Sequence, residues 1–225
     1  MAIEVTNFKL GIALPHTWNY IPIHFFDSFV QMLRPNFEYI RDYGGTGQID
    51  VVRNNLVRKA RIAGCSHILM MDTDQKFPVN TIPKLLSHRK EIVSALIYRR
   101  YPPFDPLMYK GEINSYEVIE DWNRGELVEV DSCGTGCILY EMSVFDNMPE
   151  PWFKFRENPK KEIGGTIGED IGFCSDLRAK GYRIYVDTSL TCGHLSIMEV
   201  DEGMWQMWKF FEKNKTRKRE GEKRR

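Results

Sequence analysis

Asp72 and Asp74 stand two residues apart at the end of the apolar run His67–Met71. In an extended chain residues i and i+2 project to the same side, so the two carboxylates are expected to converge. Like charges that close repel unless a cation lies between them. A hard divalent ion, Mg2+ or Mn2+, is the natural partner for oxygen ligands. The plainer reading is two aspartates that end a strand and brace the next turn. Far along the chain, Gly168-Glu169-Asp170 opens a helical pattern, with Gly164 and Gly165 just upstream. Acidic side chains suit the positive end of a helix dipole. A carboxylate there can equally act as a general base toward a hydroxyl, and a glycine-rich entry can close over a substrate as lids do. His194, after Cys192 and Gly193, is either a structural imidazole or a third ligand beside Asp74. Arg53 and Asn54 are either a solvated helix end or a polar pair aimed at the same crevice.

Short apolar runs alternate with helical patterns, which is the signature of an α/β fold with a mostly parallel sheet. Strands are expected at Phe8–Leu14, Phe37–Arg41, His67–Met71, Ile92–Tyr98, Leu127–Val130, Gly136–Glu141 and Tyr182–Val186. Helices are expected at Ile23–Leu33, Ile49–Ala63 (ending on Gly64), Thr81–His88 and Ile171–Lys180 (ending on Gly181). A turn is expected at Gly44-Gly45-Thr46-Gly47, a loop or small hairpin at Tyr101–Glu117 and a mobile glycine-rich segment at Ile163–Gly168. The expected Asp-x-Asp then falls beyond the carboxyl end of a strand, where open α/β sheets bind ligands. Met198–Phe211 reads as an aromatic, methionine-bearing helix, so the division is a domain over 1–197 and a helix with a basic tail over 198–225.

The chain has 225 residues, 42% of them hydrophobic and 28% charged, which describes a folded domain rather than a disordered or fibrous chain. Lys plus Arg equals Asp plus Glu at 31 each, but residues 209–225 carry nine of the basic and three of the acidic groups. The first 208 residues therefore have a formal charge of −6. An acidic body argues against a nucleic-acid reader, although the tail can touch phosphates or anionic lipid. Five scattered cysteines without a Cys-x-x-Cys pair read as free thiols of a reducing compartment. With no signal-peptide pattern and no apolar run of roughly 20 residues, a cytoplasmic protein is expected, peripheral at a membrane surface if the tail engages one.

Over residues 8–196 the chain resembles the GT-A fold glycosyltransferases, family-2-like enzymes in particular. Four ordered features carry the resemblance: a first strand ending in Pro15; VVRNNLVRKARIAGCSHILMMDTDQKFP, similar to the family's helix, strand and metal-binding Asp-x-Asp; DSCGTGCILYEMSVFD, similar to its small-residue acceptor loop; and GEDIGFCSDLRAKGYRIYVDTSLTCGH, similar to the segment from its catalytic Glu-Asp pair to a metal-binding His. After the second strand the chain departs from the pattern, since only Asp42, Gly44 and Gly45 stand where the family has an Asp-rich turn that reads the base.

The resemblance implies a Rossmann-like GT-A domain with a mostly parallel mixed central sheet flanked by helices. It implies a nucleotide-sugar donor, a UDP-sugar first, and a carbohydrate or lipid-linked acceptor. Asp74 and His194 would hold Mn2+ or Mg2+, and Asp72 would meet the ion or the donor ribose. Asp170 would be the base of an inverting reaction and Glu169 its positioning partner. Pro15, Arg53, Asn54, Asp72, Gly134, Thr135 and Gly136 would line the nucleotide-sugar site, the glycines allowing close backbone approach. Trp152 and Phe153 would stack on a sugar or belong to the core.

Three rivals compete with this reading. A haloacid-dehalogenase-like phosphatase also places Asp-x-Asp after a hydrophobic strand, the first Asp being a nucleophile toward phosphorus. That family has its motif near the N-terminus and Thr or Val two residues after the second Asp, whereas position 76 here is Lys. A non-catalytic nucleotide- or sugar-binding module would use the same carboxylates for recognition only. A nucleic-acid acceptor, reached through the basic tail, is disfavoured by the acidic body.

Overall fold

Residues 10–14, 68–71 and 92–97 are buried at every position, the pattern of strands covered on both faces of a sheet. The structure is a computed structural model that describes residues 8–16, 20–35, 38–43, 47–158, 165–197, 201–203 and 205–211. In chain order the elements are β1 (Lys9–Leu14), α1 (Ile23–Gln31), β2 (Glu38–Tyr43), α2 (Ile49–Ile62), β3 (His67–Met71), β4 (Gln75–Lys76), α3 (Thr81–Ser87), β5 (Ile92–Ile97) and β6 (Met108–Lys110). They continue with β7 (Glu117–Val118), β8 (Leu127–Val130), β9 (Ser132–Cys133), β10 (Cys137–Glu141), α4 (Met142–Asp146), β11 (Arg156–Glu157), β12 (Thr166–Ile167), α5 (Glu169–Ala179) and β13 (Ile184–His194).

The central sheet runs β2-β1-β3-β10-β5-β13-β4, with β8 also paired to β13. Strands β1, β2, β3, β5 and β13 run parallel, and β10 lies antiparallel between β3 and β5. This is the mixed, mostly parallel α/β sheet the sequence predicts. One core cluster joins α2 (Val52, Leu56, Val57) to Tyr140, Phe145, Trp152, Phe153 and Phe173, and the other joins α1 and α3 to the opposite face. Each large apolar side chain so buried contributes about 1.5–3 kcal/mol. Helix α2 stops at Gly64, whose φ of +71° is the left-handed conformation that closes a helix, with the Cys65 amide bonding back to the Ala60 carbonyl.

The Tyr101–Glu117 stretch, expected as a loop or small hairpin, carries the antiparallel β6–β7 hairpin, whose second strand ends one residue beyond it, and β6 pairs on its other side with β9 in a separate three-stranded sheet. One expectation needs correction. The last strand is longer than Tyr182–Val186: β13 shifts register between Asp187 and Thr191 and then resumes beside Leu96 and Ile97. Asp187 holds that bulge, accepting bonds from the Ser189 amide and the Ser189 hydroxyl on one oxygen while His88 Nε2 lies 2.6 Å from the other. Polar Asp187-Thr188-Ser189 interrupts the strand pattern without ending the strand, so Cys192-Gly193-His194 lies within it rather than after it. The turn residues Gly44, Gly45 and Thr46, the side chain of Asp42 and residues Ile163–Gly164 lie outside the described residues.

By internal contacts the chain divides into Met1–Leu195 and Ser196–Arg225. In the second unit residues 202–203 and 205–211 are helical, with Trp205, Met207, Trp208, Phe210 and Phe211 exposed. Among the described residues no helix is long and apolar enough to cross a membrane.

Candidate active site

Because β1, β3, β5 and β13 are parallel, their carboxyl ends reach one rim: Pro15 after β1, Asp72 after β3, Tyr98–Arg100 after β5 and His194 at the end of β13. Antiparallel β10 begins at that rim and brings Gly134, Thr135 and Gly136 to it. Five stretches distant in sequence thus meet through strand direction alone.

Beyond β3 the chain makes a turn at Thr73-Asp74 and enters β4, which pairs with β13 so that Gln75 lies opposite His194. The Asp74 carbonyl accepts the Leu195 amide at 2.7 Å. This ladder sets Asp74 Oδ2 3.4 Å from His194 Nε2. Arg100 pairs with Asp74 Oδ2, and its Nε–H points at His194 Nε2 at 3.3 Å. A guanidinium only donates, so Nε2 is the accepting nitrogen, and Nδ1–H donates to the Tyr98 carbonyl at 2.8 Å. Asp74 Oδ1 is buried without a partner. Burial alone would favour the protonated Asp74 carboxyl, but its surroundings, the Arg100 guanidinium among them, outweigh it and hold the group below its ordinary range.

Asp72 does not join Asp74. The turn removes the extended geometry on which convergence depended, and both Asp72 oxygens accept from Arg53 Nη2, at 3.0 and 3.2 Å. Arg53 is 4% exposed, so it is no solvated helix end, and its Nε bonds Glu169 at 3.2 Å. Burial opposes the Arg53 charge, yet Asp72 and Glu169 more than offset it. Among the described residues no three His, Cys, Asp or Glu side chains form a ready cluster for a metal ion.

Glu169 and Asp170 form the first turn of α5 after Gly168. Glu169 is buried against Arg53, while Asp170 keeps part of its surface open and accepts its neighbour's amide, Ile171 N–H, at 2.7 Å. Enclosure by protein, then the Glu169 charge, pushes the Asp170 carboxyl up to about 6. It is thus a carboxylate of raised basicity, the property a general base needs near neutral pH.

At the β10 end the Gly136 carbonyl accepts the Asp72 amide at 2.8 Å. A methyl group on Gly136 would overlap the Gln75 amide and come within 3.2 Å of Asp72 Oδ2. Thr135 Oγ1 and Gln75 Oε1 are buried with no hydrogen-bond partner, as is Asp74 Oδ1. Buried polar atoms are normally paired, so three orphans on and beside one rim mark a place where a polar ligand would complete the bonding.

Three residues weighed for the site are turned inward, which for Trp152 and Phe153 is the core alternative. Asn54 is buried and fully employed: its Oδ1 accepts the Trp152 and Phe153 amides at 3.0 and 3.1 Å, and its Nδ2 donates to the Asp50 and Phe153 carbonyls. Trp152 and Phe153 are 1% and 0% exposed and belong to the core, not to a sugar platform. Conversely, Arg100 and Gln75 were not singled out from sequence. The signal for Gln75 is its place beside Asp74, but Arg100, one of two arginines after β5, carries no local signal.

No family model and no curated protein sequence matches the chain. Among solved structures, A197 from STIV superposes with a TM-score of 0.61 at 17% identity, over 84% of this chain and 87% of that one. GalNAc-T7 with UDP, GalNAc and Mn2+ superposes with a TM-score of 0.54 at 10% identity, over 88% of this chain and 45% of that one. The chain therefore spans less than half of GalNAc-T7. At such identities the likeness is one of fold, which this chain shares with a GT-A glycosyltransferase.

Proposed function

We propose that this chain is a glycosyltransferase that moves a sugar from a nucleoside-diphosphate sugar, a UDP-sugar in the first instance, to the hydroxyl of a carbohydrate or lipid-linked acceptor. The observation that carries the reading is the meeting of Asp74 and His194, 120 positions apart, at the rim where Asp170 has a raised pKa. The fold shared with a protein bound to UDP and Mn2+ supports it.

The residues fit a divalent ion: Asp74 offers a buried oxygen without a partner, and His194 offers an accepting Nε2 on a ring oriented by the Tyr98 carbonyl. When bound there, Mn2+ or Mg2+ supplies electrostatic stabilisation of a departing diphosphate. Around it the chain's own groups divide the work. Asp170 takes the proton of the acceptor hydroxyl as that oxygen attacks the anomeric carbon from the face opposite the leaving group, giving inversion. Glu169 raises the basicity of Asp170 and anchors Arg53, which fixes Asp72 beside the donor site. Gly134, Thr135 and Gly136 let backbone and hydroxyl approach the sugar, and Pro15 closes the nucleotide side of the rim.

A phosphatase reading would need Asp72 free as a nucleophile, and both its oxygens are held by Arg53. The test is release of nucleoside diphosphate from a panel of nucleotide sugars with Mn2+, for wild type and Asp170→Asn. Release by wild type that falls at least ~100-fold in the variant supports the proposal. Binding without release would leave a binding module, and turnover of p-nitrophenyl phosphate lost in Asp72→Asn would establish the phosphatase instead.

A further inference from the structure

The cation position beside Asp74 and His194 is covered by a side chain of the same molecule. Arg100 pairs with Asp74 Oδ2 and directs its Nε–H at His194 Nε2 at 3.3 Å. These are the two groups that the proposed function takes as metal ligands, so a role for Arg100 at this position rests on that reading. We propose that Arg100 is a built-in occupant of this position which competes with the divalent ion and must swing away before the ion binds.

Two observations and one property of arginine favour an occupant that leaves over a permanent strut. The guanidinium satisfies only one side of Asp74, leaving Oδ1 buried and unpartnered, so the carboxylate retains capacity that the arginine does not use. The Arg100 side chain is 37% exposed, so a path to solvent is open, and the Tyr101 ring that its guanidinium carbon meets at 5.9 Å is itself exposed and does not bury it. An arginine also keeps its charge at every accessible pH, so it can vacate the carboxylate only by moving, never by losing a proton. A released guanidinium is matched in shape and charge to a diphosphate, which makes the leaving group of the proposed reaction its natural next partner. The ion alone therefore binds against a standing competitor, and the ion with a nucleoside diphosphate does not.

The test is titration with Mn2+ alone, read by the electron paramagnetic resonance signal of the free ion, on wild type, Arg100→Ala, Arg100→Gln and Asp74→Asn. Tighter Mn2+ binding by about tenfold or more in both Arg100 variants, lost when Asp74→Asn is added, supports the proposal. Should one Arg100 variant fail to fold, the other decides. Binding in the Arg100 variants that is equal to or weaker than wild type, and still dependent on Asp74, overturns the competition while leaving the metal site in place. No Mn2+ binding in any variant, or binding indifferent to Asp74→Asn, removes the metal site and the competition together.

Discussion

Asp72 and Asp74 are two residues apart and serve different arginines. Asp72 lies in the grip of buried Arg53 from α2, while Asp74 meets Arg100 from the end of β5 and the imidazole of His194. The turn between β3 and β4 separates the two carboxylates, so a divalent ion would draw on Asp74 and His194 while Asp72 stays in a fixed ionic framework. Arg53 then faces Asp72 and Glu169 directly and feels the Asp170 charge as well. That framework links Asp72 at the end of β3 to Glu169 and Asp170 in the first turn of α5.

The pH dependence of turnover should report Asp170. Its pKa of about 6 means that the ionised base is lost as pH falls through that value, so kcat/KM should drop about tenfold per pH unit below it. Glu169→Gln removes a negative neighbour that raises this pKa, and the acid limb should move to lower pH. A pH–rate profile measured on both proteins checks this, and an unmoved limb counts against Asp170 as the titrating base.

Asn54→Ala should cost stability rather than donor affinity. The substitution leaves the buried Trp152 and Phe153 amides without an acceptor, and each such orphan costs about 1–3 kcal/mol. Chemical denaturation should show the loss, while the Kd of a nucleoside diphosphate, measured by calorimetry on the folded fraction, should stay within about twofold. A large change in Kd without loss of stability would return Asn54 to the donor site.

Gly136→Ala should impair the rim without unfolding the domain. The added methyl would press on the Gln75 side chain and crowd Asp72 Oδ2. Overpacking of this kind costs about 1–3 kcal/mol, part of which would appear as weaker nucleoside-diphosphate binding, by tenfold or so. Unchanged affinity would show that Gln75 can retreat freely and that the loop lies off the ligand.

Asp187→Ala should damage a site it does not touch. Its carboxylate is 1% exposed, holds the β13 bulge through Ser189 and His88, and has its pKa lowered because these bonds outweigh burial. The stability it supplies is present above the ordinary aspartate pKa and is lost as pH falls through the lowered value. The variant should lose about 1–3 kcal/mol, the usual cost of leaving buried donors without an acceptor, and bind Mn2+ more weakly because Thr191–His194 loses its register. Calorimetric unfolding and a Mn2+ titration measure both effects.

The strands β1, β3 and β5 and the helix α2 were legible to within a residue or two, because burial on both sheet faces or along one helix face writes a periodic pattern into the chain. The two-residue strands β11 and β12 and the five-residue helix α4 were not, since so few residues carry no period. The far half of β13 was hidden because Asp187, Thr188 and Ser189 satisfy one another and their neighbours at a bulge, which a linear reading takes for a loop. Arg53 shows the same limit at the site: a charged residue on a helix suggests solvent, and only Asp72 and Glu169, 19 and 116 positions away, make its burial tolerable.

By itself, then, the sequence determined the alternation of strands and helices and the placing of acidic residues and a histidine at element ends, because these depend on neighbours a few positions apart. Which carboxylate faces which cation, that Asn54 and Trp152 are buried in hydrogen-bonded and core positions, and that Arg100 contacts both Asp74 and His194 were decided by tertiary structure alone. Ion pairs and buried hydrogen bonds act over a few ångströms in space, and strand direction, not chain distance, determines which groups come that close.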